Sequence, residues 1–411
     1  MTAQQLNTLP GGKLALKRSE AAEGPWSVYL DAAEVAAKRQ PELPVLCFSP
    51  TRLNASASSF KKNFPGEVAY AVKANSSIDA IMTIAASGVT VFDVASLVEM
   101  KMVRAASPRA AFHYHNPVKS RAEIASAYHD FGCVRFAADH AAEIDKIADV
   151  IGHTDGIEIA VRFRLPAHGR SIHDFSTKFG ATPCEASQLL AHADARGFTT
   201  VLTFHPGSQC SDPAAWRRHI QCAAEISADA GVKLASLNVG GGFPARYVGA
   251  QVPELQVYFA AIRQATDDAF GKAGAPHLEC EPGRGIVAPA QSLLTRVKLV
   301  KPERREIFLN DGIYGALMEV SQAPDMVPPC RAIRNNGDFS AEFQNWTIYG
   351  PTCDPLDTLP VSLHLPSDIA EDDYIEFGTI GAYGTATSTR FNGYGQFETA
   401  FVEKVLEIKQ A

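Results

Sequence analysis

Lys73 closes the segment GEVAYAVKAN (66–75), in which Val68, Tyr70 and Val72 alternate with small alanines. Such a run reads as a buried strand, and a lysine at its end is costly to bury without a partner. Either the ammonium reaches solvent there, or its amine serves a reacting group. HPGSQC (205–210), NVGGGFP (238–244) and ECEPGRG (279–285) follow apolar runs of the same kind. Gly240, Gly241 and Gly242 would let an anion approach backbone N–H groups, and they do not fit the GxGxxG spacing of dinucleotide folds. Glu279 and Glu281 alternate on one strand and so share a side, where carboxylates need cations or donors to meet them. Two later segments are turn and loop material: GPTCDPLDTL (350–359), with Cys353 and Asp354, and GAYGTATSTRFNGYG (381–395), with Tyr383. Each feature also has an ordinary reading: a snorkelling lysine, a satisfied His205, a glycine turn, a Glu–Arg pair, an incidental cysteine.

One cofactor accounts for the set. A strand-end amine can form a Schiff base with an aldehyde, a glycine loop can hold a phosphate, and a carboxylate can hold a protonated pyridine nitrogen. Those are the requirements of pyridoxal 5'-phosphate (PLP).

The elements that would position these groups recur regularly. Strand candidates run over 67–73, 89–95, 110–115, 133–138, 156–164, 199–205, 233–239 and 277–282, with helix-spaced stretches such as IDAIMTIAAS between them. Strands alternating with helices in this number fit a (β/α)8 barrel, with a doubly wound open sheet as the competing arrangement. Lys73, Asp93, His113, His115, Arg162, Arg164, His205, the glycines at 240–242 and Glu281 fall at or just past strand ends. A barrel gathers those ends onto one face. Beyond about residue 290 the texture becomes strands separated by Pro/Gly-rich turns. The expected division is an N-terminal segment (1–48) lending strand material to the β domain, a barrel (49–289), and a mainly β domain (290–411).

At 411 residues, 46% hydrophobic and 20% charged, the chain has an ordinary globular composition. A net charge of −7 gives no footprint for nucleic acid or an anionic membrane. The leading segment, expected to be mobile, has no apolar h-region, and no run of 18 apolar residues occurs. Eight scattered cysteines without CxxC spacing read as reduced thiols of a cytoplasmic protein, not as a zinc site or disulfide framework.

YAVKAN, VFDVAS, KFG (178–180), FHPGSQC, NVGGGFP, ECEPGR, DGIYG, GPTCDPLD and GAYGTATSTRFNGY occur together and in this order. On these motifs, spanning residues 45 to 395, the chain resembles the fold-type III PLP-dependent decarboxylases, and most of all ornithine decarboxylase with its diaminopimelate and lysine relatives. The resemblance implies an alanine-racemase-type TIM barrel followed by a mainly β domain, and a head-to-tail homodimer with active sites at its interface. It implies Lys73 as Schiff-base lysine, His205 stacked on the pyridine face and Glu281 on the ring nitrogen. Ser208, Gly240, Gly241, Gly242, Arg284 and Tyr383 match the phosphate holders, with Asp93 and Arg162 as supporting charges. Cys353 resembles the residue that handles the proton at the substrate carbon. Asp354 matches the acceptor of the distal amine, and Tyr314 a further substrate residue; Cys353 and Asp354 would come from the partner subunit. No metal is implied.

The implied reaction is decarboxylation of a basic amino acid, ornithine to putrescine in polyamine biosynthesis, with lysine, diaminopimelate or another diamino acid as alternatives. A PLP-dependent racemase and a non-catalytic regulator are the rival readings. One departure concerns substrate: where ornithine enzymes carry an acidic residue after DGIYG, this chain has Ala323, with Glu319 and Asp325 nearby.

Overall fold

The computed structural model describes residues 27–166 and 178–408, so the expectation of a mobile leading segment lies outside the described residues. The described residues begin with β1 (Val28–Tyr29), α1 (Ala32–Arg39), β2 (Val45–Phe48) and α2 (Pro50–Asn63). It continues with β3 (Glu67–Ala71), α3 (Ile78–Ala86), β4 (Val91–Val94), α4 (Leu97–Ala106), β5 (Ala111–Tyr114) and α5 (Arg121–His129). Next come β6 (Arg135–Ala138), α6 (Ala141–Ile151), β7 (Glu158–Arg162), α7 (Pro183–Ala195), β8 (Thr199–Thr203) and α8 (Ala214–Ala230). The series ends with β9 (Ser236–Asn238), α9 (Leu255–Phe270) and β10 (His277–Cys280). Two compact units form, one of residues 57–244 with 251–285, the other of residues up to 56 with 245–250 and 286–411.

In the first unit β3 to β10 are all parallel and close into a barrel, β10 pairing back onto β3, which settles the choice against an open sheet. Local chemistry explains the alternation. The strands are short and almost wholly buried, with small residues such as Ala137, Ala160 and Val201 packed together. Four of the helices start at polar caps: Ser77 and Ser96 accept from backbone N–H groups of their first turns, and Ser120–Glu123 and Thr182–Glu185 form reciprocal capping boxes. Neighbouring registers align Ala71 with Asp93, Asp93 with His113, and Arg162 with Thr203. Polar residues at strand ends therefore share one rim.

The sequence reading carries the first strand through Lys73, whereas β3 stops at Ala71. Residues 72–74 turn in a 3-10 conformation, closed by Asn75 N–H donating to Val72 O at 3.1 Å, while Tyr70 Oη donates to Asn75 O at 2.8 Å. Val72 and Ala74 stay buried, so of the three turn residues only Lys73 reaches toward solvent.

The other unit is built on β11 (Gln291–Lys301), β12 (Glu306–Leu309), β13 (Cys330–Ile333), β14 (Phe343–Tyr349), β15 (Leu363–Pro366), β16 (Tyr374–Phe377) and β17 (Glu398–Val402). With β1 and β2 they make a nine-stranded sheet in the order β1-β17-β2-β11-β12-β14-β15, with β16 pairing both β11 and β13. Strand material from residues 26–48 does join this sheet, β2 lying between β11 and β17. Leu293, Trp346, Ile348, Leu363, Ile375 and Phe377 form its core. β13, β15 and β17 escape the sequence reading because CRAI, LHLP and ETAFV show too little alternation. Among the described residues no helix is long and apolar enough to cross a membrane.

Candidate active site

Lys73 stands at the rim of the barrel with its side chain 48% exposed, and its Nζ lies 3.4 Å from Oδ2 of buried Asp93, the third residue of β4. Glu281 follows β10 by one residue and is buried; its backbone N–H donates to Gly240 O at 2.9 Å, tying this strand end to the glycine loop after β9. Asn238, the last residue of β9, has two tasks. Its Nδ2 donates to Oε1 of Glu281 at 2.6 Å, and its Oδ1 accepts from Gly240 N–H at 2.8 Å.

The electrostatics follow from this crowding. Desolvation pushes the Glu281 carboxyl up, but the charge and hydrogen bond of His115, together with Lys73 and His113, outweigh it and hold the group well below its ordinary value. Asp93 moves the other way: desolvation and the Glu281 charge raise it, against Lys73 and His115. The rim thus holds one carboxylate strongly committed to its charge beside one inclined to share a proton. His205, just past β8, is pushed down to about 3, by desolvation first and then by the Lys73 and Arg162 cations. Its Nδ1 accepts from Gly207 N–H at 3.1 Å, which assigns the ring proton to Nε2. Arg162 ends β7; burial lowers it, Glu281 and Asp93 support it, and its guanidinium lies 5.8 Å from the ring of Phe179 in the KFG segment.

Gly240 and Gly242 adopt φ of +68° and +91°, which L side chains rarely take up. A Cβ on Gly240 would come within 2.0 Å of Phe204 O, one on Gly242 within 2.4 Å of Gly207 O, and one on Gly241 within 2.7 Å of Glu281 O. The three glycines let this loop nest against the His205–Gly207 turn. Among the described residues no acceptor meets the N–H groups of Gly241 and Gly242, leaving a small concavity of donors suited to an anion. Buried Ser208 and Arg284 adjoin it in the same unit, Arg284 Nη2 donating to Ser208 Oγ at 3.3 Å. Trp216 of α8 braces the loop, its indole N–H donating to Val239 O at 3.2 Å. Amine, ionised carboxylate, neutral imidazole and N–H concavity therefore fit a phosphorylated pyridine aldehyde in kind.

Three neighbours were not singled out as site residues from the sequence. Asn238 and His115 both contact Glu281, and the His113 ring stacks on His115 at 5.3 Å. The signal for the histidines was present, since FHYH places two of them on one side of a strand end. Asn238 looked like an ordinary residue before a glycine turn.

The remaining expected residues lie in the other unit. Tyr314 Oη donates to Asp354 Oδ2 at 2.5 Å, which lowers the Asp354 carboxyl and raises the phenol. The Tyr314 ring packs on Phe391 at 4.9 Å between centroids. Exposed Cys353 donates its backbone N–H to Asn392 Oδ1 at 3.2 Å. Buried Asp357 fixes the two segments together, accepting from Ile313 N–H at 3.0 Å and from Thr352 N–H and Oγ1–H at 2.9 and 2.7 Å. Tyr383 is half-buried at φ +60° on the loop after β16, its carbonyl accepting from Thr387 Oγ1 at 2.7 Å. Ala323 is buried, Glu319 lines a cavity of about 10 Å³ with Tyr247 and Thr379, and Asp325 is exposed.

Residues 51–288 match the family described as pyridoxal-dependent decarboxylase, pyridoxal binding domain. The chain is 31% identical over 344 residues to decarboxylase flvG of Aspergillus flavus, covering 79% of this chain and 77% of that protein. It is 30% identical over 367 residues to a lysine/ornithine decarboxylase of Selenomonas ruminantium, covering 87% of this chain and 89% of the relative. The crystal structure of the Paramecium bursaria Chlorella virus arginine decarboxylase superposes with a TM-score of 0.80 at 25% identity, over 90% of this chain and 99% of that one. A barrel rim of this composition, matched along its whole length to a pyridoxal-binding domain, makes the chain a member of the fold-type III PLP-dependent amino-acid decarboxylases, acting on a basic amino acid.

Proposed function

We propose that the protein decarboxylates a diamino L-amino acid, ornithine to putrescine in the first instance, within polyamine biosynthesis in the cytoplasm. PLP, when bound, supplies the electron sink that accepts the pair released as CO2 leaves. The chain's own residues do the rest. Lys73 would hold the aldehyde through its amine. Ionised Glu281 holds the proton at the ring nitrogen, and Asp93 balances the Lys73 charge. Neutral His205 faces the ring without repelling a cationic pyridine, while Arg162 supports the surrounding charges. The N–H groups of Gly241 and Gly242, in the loop that Gly240 opens, hold the phosphate with Ser208, Arg284 and Tyr383. Cys353 delivers a proton to the former α-carbon, and Asp354, oriented by Tyr314, accepts the distal ammonium. Cys353 and Asp354 act on the barrel of a second copy in a homodimer, an arrangement supported by the family resemblance and by the exposure of Cys353.

The observation that carries this reading is the barrel rim, where an amine, a carboxylate held ionised and two N–H donors converge. Ornithine is shared, by name, with the Selenomonas relative. Apolar, buried Ala323 favours a second reading in which lysine or a shorter diamino acid is preferred. CO2 release from the purified, PLP-loaded protein with ornithine, lysine, arginine, diaminopimelate and 2,4-diaminobutyrate decides between them. No release from any of the five would end the proposal.

A further inference from the structure

His115 and His113 are buried at the rim of the barrel, and the proposed chemistry leaves both unused. His115 follows β5 directly, its backbone N–H donating to Val94 O at 3.1 Å as the ladder's last bond. Its Nδ1 contacts Oε1 of Glu281 and lies 4.0 Å from Oδ1 of Asp93. Its Nε2 has no hydrogen-bond partner among the described residues, and the His113 ring stacks on the His115 ring with 27° between planes. Asn238 Nδ2 donates to that same Oε1. One oxygen of Glu281 therefore accepts from Asn238 and stands in ion-pair contact with His115 Nδ1, while Oε2 meets no donor among the described residues.

A buried imidazole placed between two carboxylates, with no other bond to make, has a restricted set of uses. We infer that His115 is a positioning residue: by donating from Nδ1 to Oε1 of Glu281 it fixes that carboxylate ionised, with Oε2 left for the protonated ring nitrogen of PLP. The inference rests on the assignment of Glu281 above and deepens it. Asn238 fixes the same oxygen from β9, so the carboxylate is gripped from two strands and its rotation about the last side-chain bond is blocked. Around the imidazole stand the carboxyl groups of Asp93 and Glu281, the Lys73 cation, and His113, which desolvation and Arg135 keep neutral.

The test uses holoenzyme loaded with PLP carrying 15N at the ring nitrogen, whose resonance position reports whether that nitrogen is protonated. His115→Leu removes the donor. Its resonance is expected to move toward the unprotonated position, and PLP is expected to dissociate about tenfold more readily, as for a lost charge-assisted hydrogen bond. His115→Asn, whose amide nitrogen stands near the place of Nδ1, is expected to restore both values without a positive charge. A merely structural histidine would change thermal stability and leave the resonance in place. An unshifted resonance with unchanged PLP affinity in His115→Leu overturns the inference. Should His115→Leu fail to fold or to hold PLP, a resonance at the unprotonated position in His115→Asn overturns it equally. Glu281→Gln separates the two levels. If Glu281→Gln shifts the resonance and His115→Leu does not, only the role of His115 falls; if Glu281→Gln shifts nothing, the assignment of Glu281 falls with it. Stoichiometric divalent metal in the purified protein would also overturn it, because a cation shared by His113, His115 and Glu281 would take the donor's place.

Discussion

The two clusters that the sequence marked out for chemistry are built on opposite principles. At the barrel rim, Asp93, His113, His115 and Glu281 are buried, and desolvation together with neighbouring charges moves Asp93 up and His113 down, while neighbouring charges override desolvation to bring Glu281 down. In the β unit, Cys353 is exposed, and Asp354 is lowered chiefly by the Tyr314 phenol and a backbone N–H. A rigid, dry constellation suits a permanently held group that must keep one orientation. A solvated pair of short hydrogen bonds suits a substrate that must enter, be read and leave. The difference makes two kinds of variant behave differently. Rim substitutions should damage the chemical step or cofactor retention, and substitutions at the Asp354–Tyr314 pair should mostly shift apparent affinity.

The largest effect belongs to the rim. Lys73→Ala is expected to lower turnover by on the order of 10⁴-fold, since both the tether and its proton are lost. Borohydride should then fix no adduct at position 73. Retained turnover, or a reduced adduct elsewhere on the chain, would remove Lys73 from the mechanism. Glu281→Gln comes next. Substituting a neutral amide for the ionised group should cost about 10² to 10³ in kcat, the scale of a lost electrostatic stabiliser. A fall confined to KM would place Glu281 in substrate binding instead and blur the contrast between the clusters.

Asp354→Asn should chiefly raise KM for the diamino acid, by about tenfold to a hundredfold, as for a lost hydrogen bond to a charged group. An equal fall in kcat and kcat/KM would show that the β-unit cluster acts in the transition state. The homodimer arrangement can be broken with variants that are inactive singly. Lys73→Ala mixed with Cys353→Ala should regain about a quarter of wild-type sites if each site draws on two copies, by random pairing in a twofold dimer. No recovery after verified exchange of subunits would confine each site to one chain.

How much of this was legible depended on what each feature asks of its neighbours. The eight barrel strands were readable because each is a short apolar run followed by a polar residue, and capped helices separate them. The strand-end placement of Lys73, Asp93, Arg162, His205 and Glu281 was readable for the same reason, since position relative to a strand end is a local property. The turn that carries Lys73 out of the ladder was not readable, because Val72, Lys73 and Ala74 continue the alternating run and include no turn-forming residue. Asn238 and His115 were missed as site residues for a related reason. Their significance lies in a carboxylate far away in sequence, and only closure of β10 onto β3 brings it near. β17 was missed because its burial comes from lying between β1 and β2, not from its own pattern.

The smallest expected effect carries the comparison into stability, where the two units should respond to pH with opposite signs. His205 is depressed from 6.5 to about 3. Below pH 6.5 an unfolded chain takes up a proton that the folded barrel refuses, so the barrel loses stability as pH falls from 6.5 toward 3. Asp311 of the β unit is raised from 3.8 to about 7, by burial above all and against its backbone hydrogen bonds. Between pH 7 and 3.8 the folded state holds a proton that the unfolded chain releases, so this group's contribution to stability grows as pH falls across that window. Asp311→Asn keeps an oxygen for the Ala316 N–H, which donates to Asp311 Oδ2 at 2.9 Å. It should stabilise the protein at pH 8 by on the order of 1 kcal/mol and have little effect at pH 4.5. Hydrogen exchange at core amides of each unit separates the responses. At pH 5.5 relative to pH 8, protection should fall in β8 and rise at Leu309 and Ile348. Parallel pH responses in the two units, or an Asp311→Asn curve that merely tracks the wild type, would show that the contrast in charge design does not extend to folding.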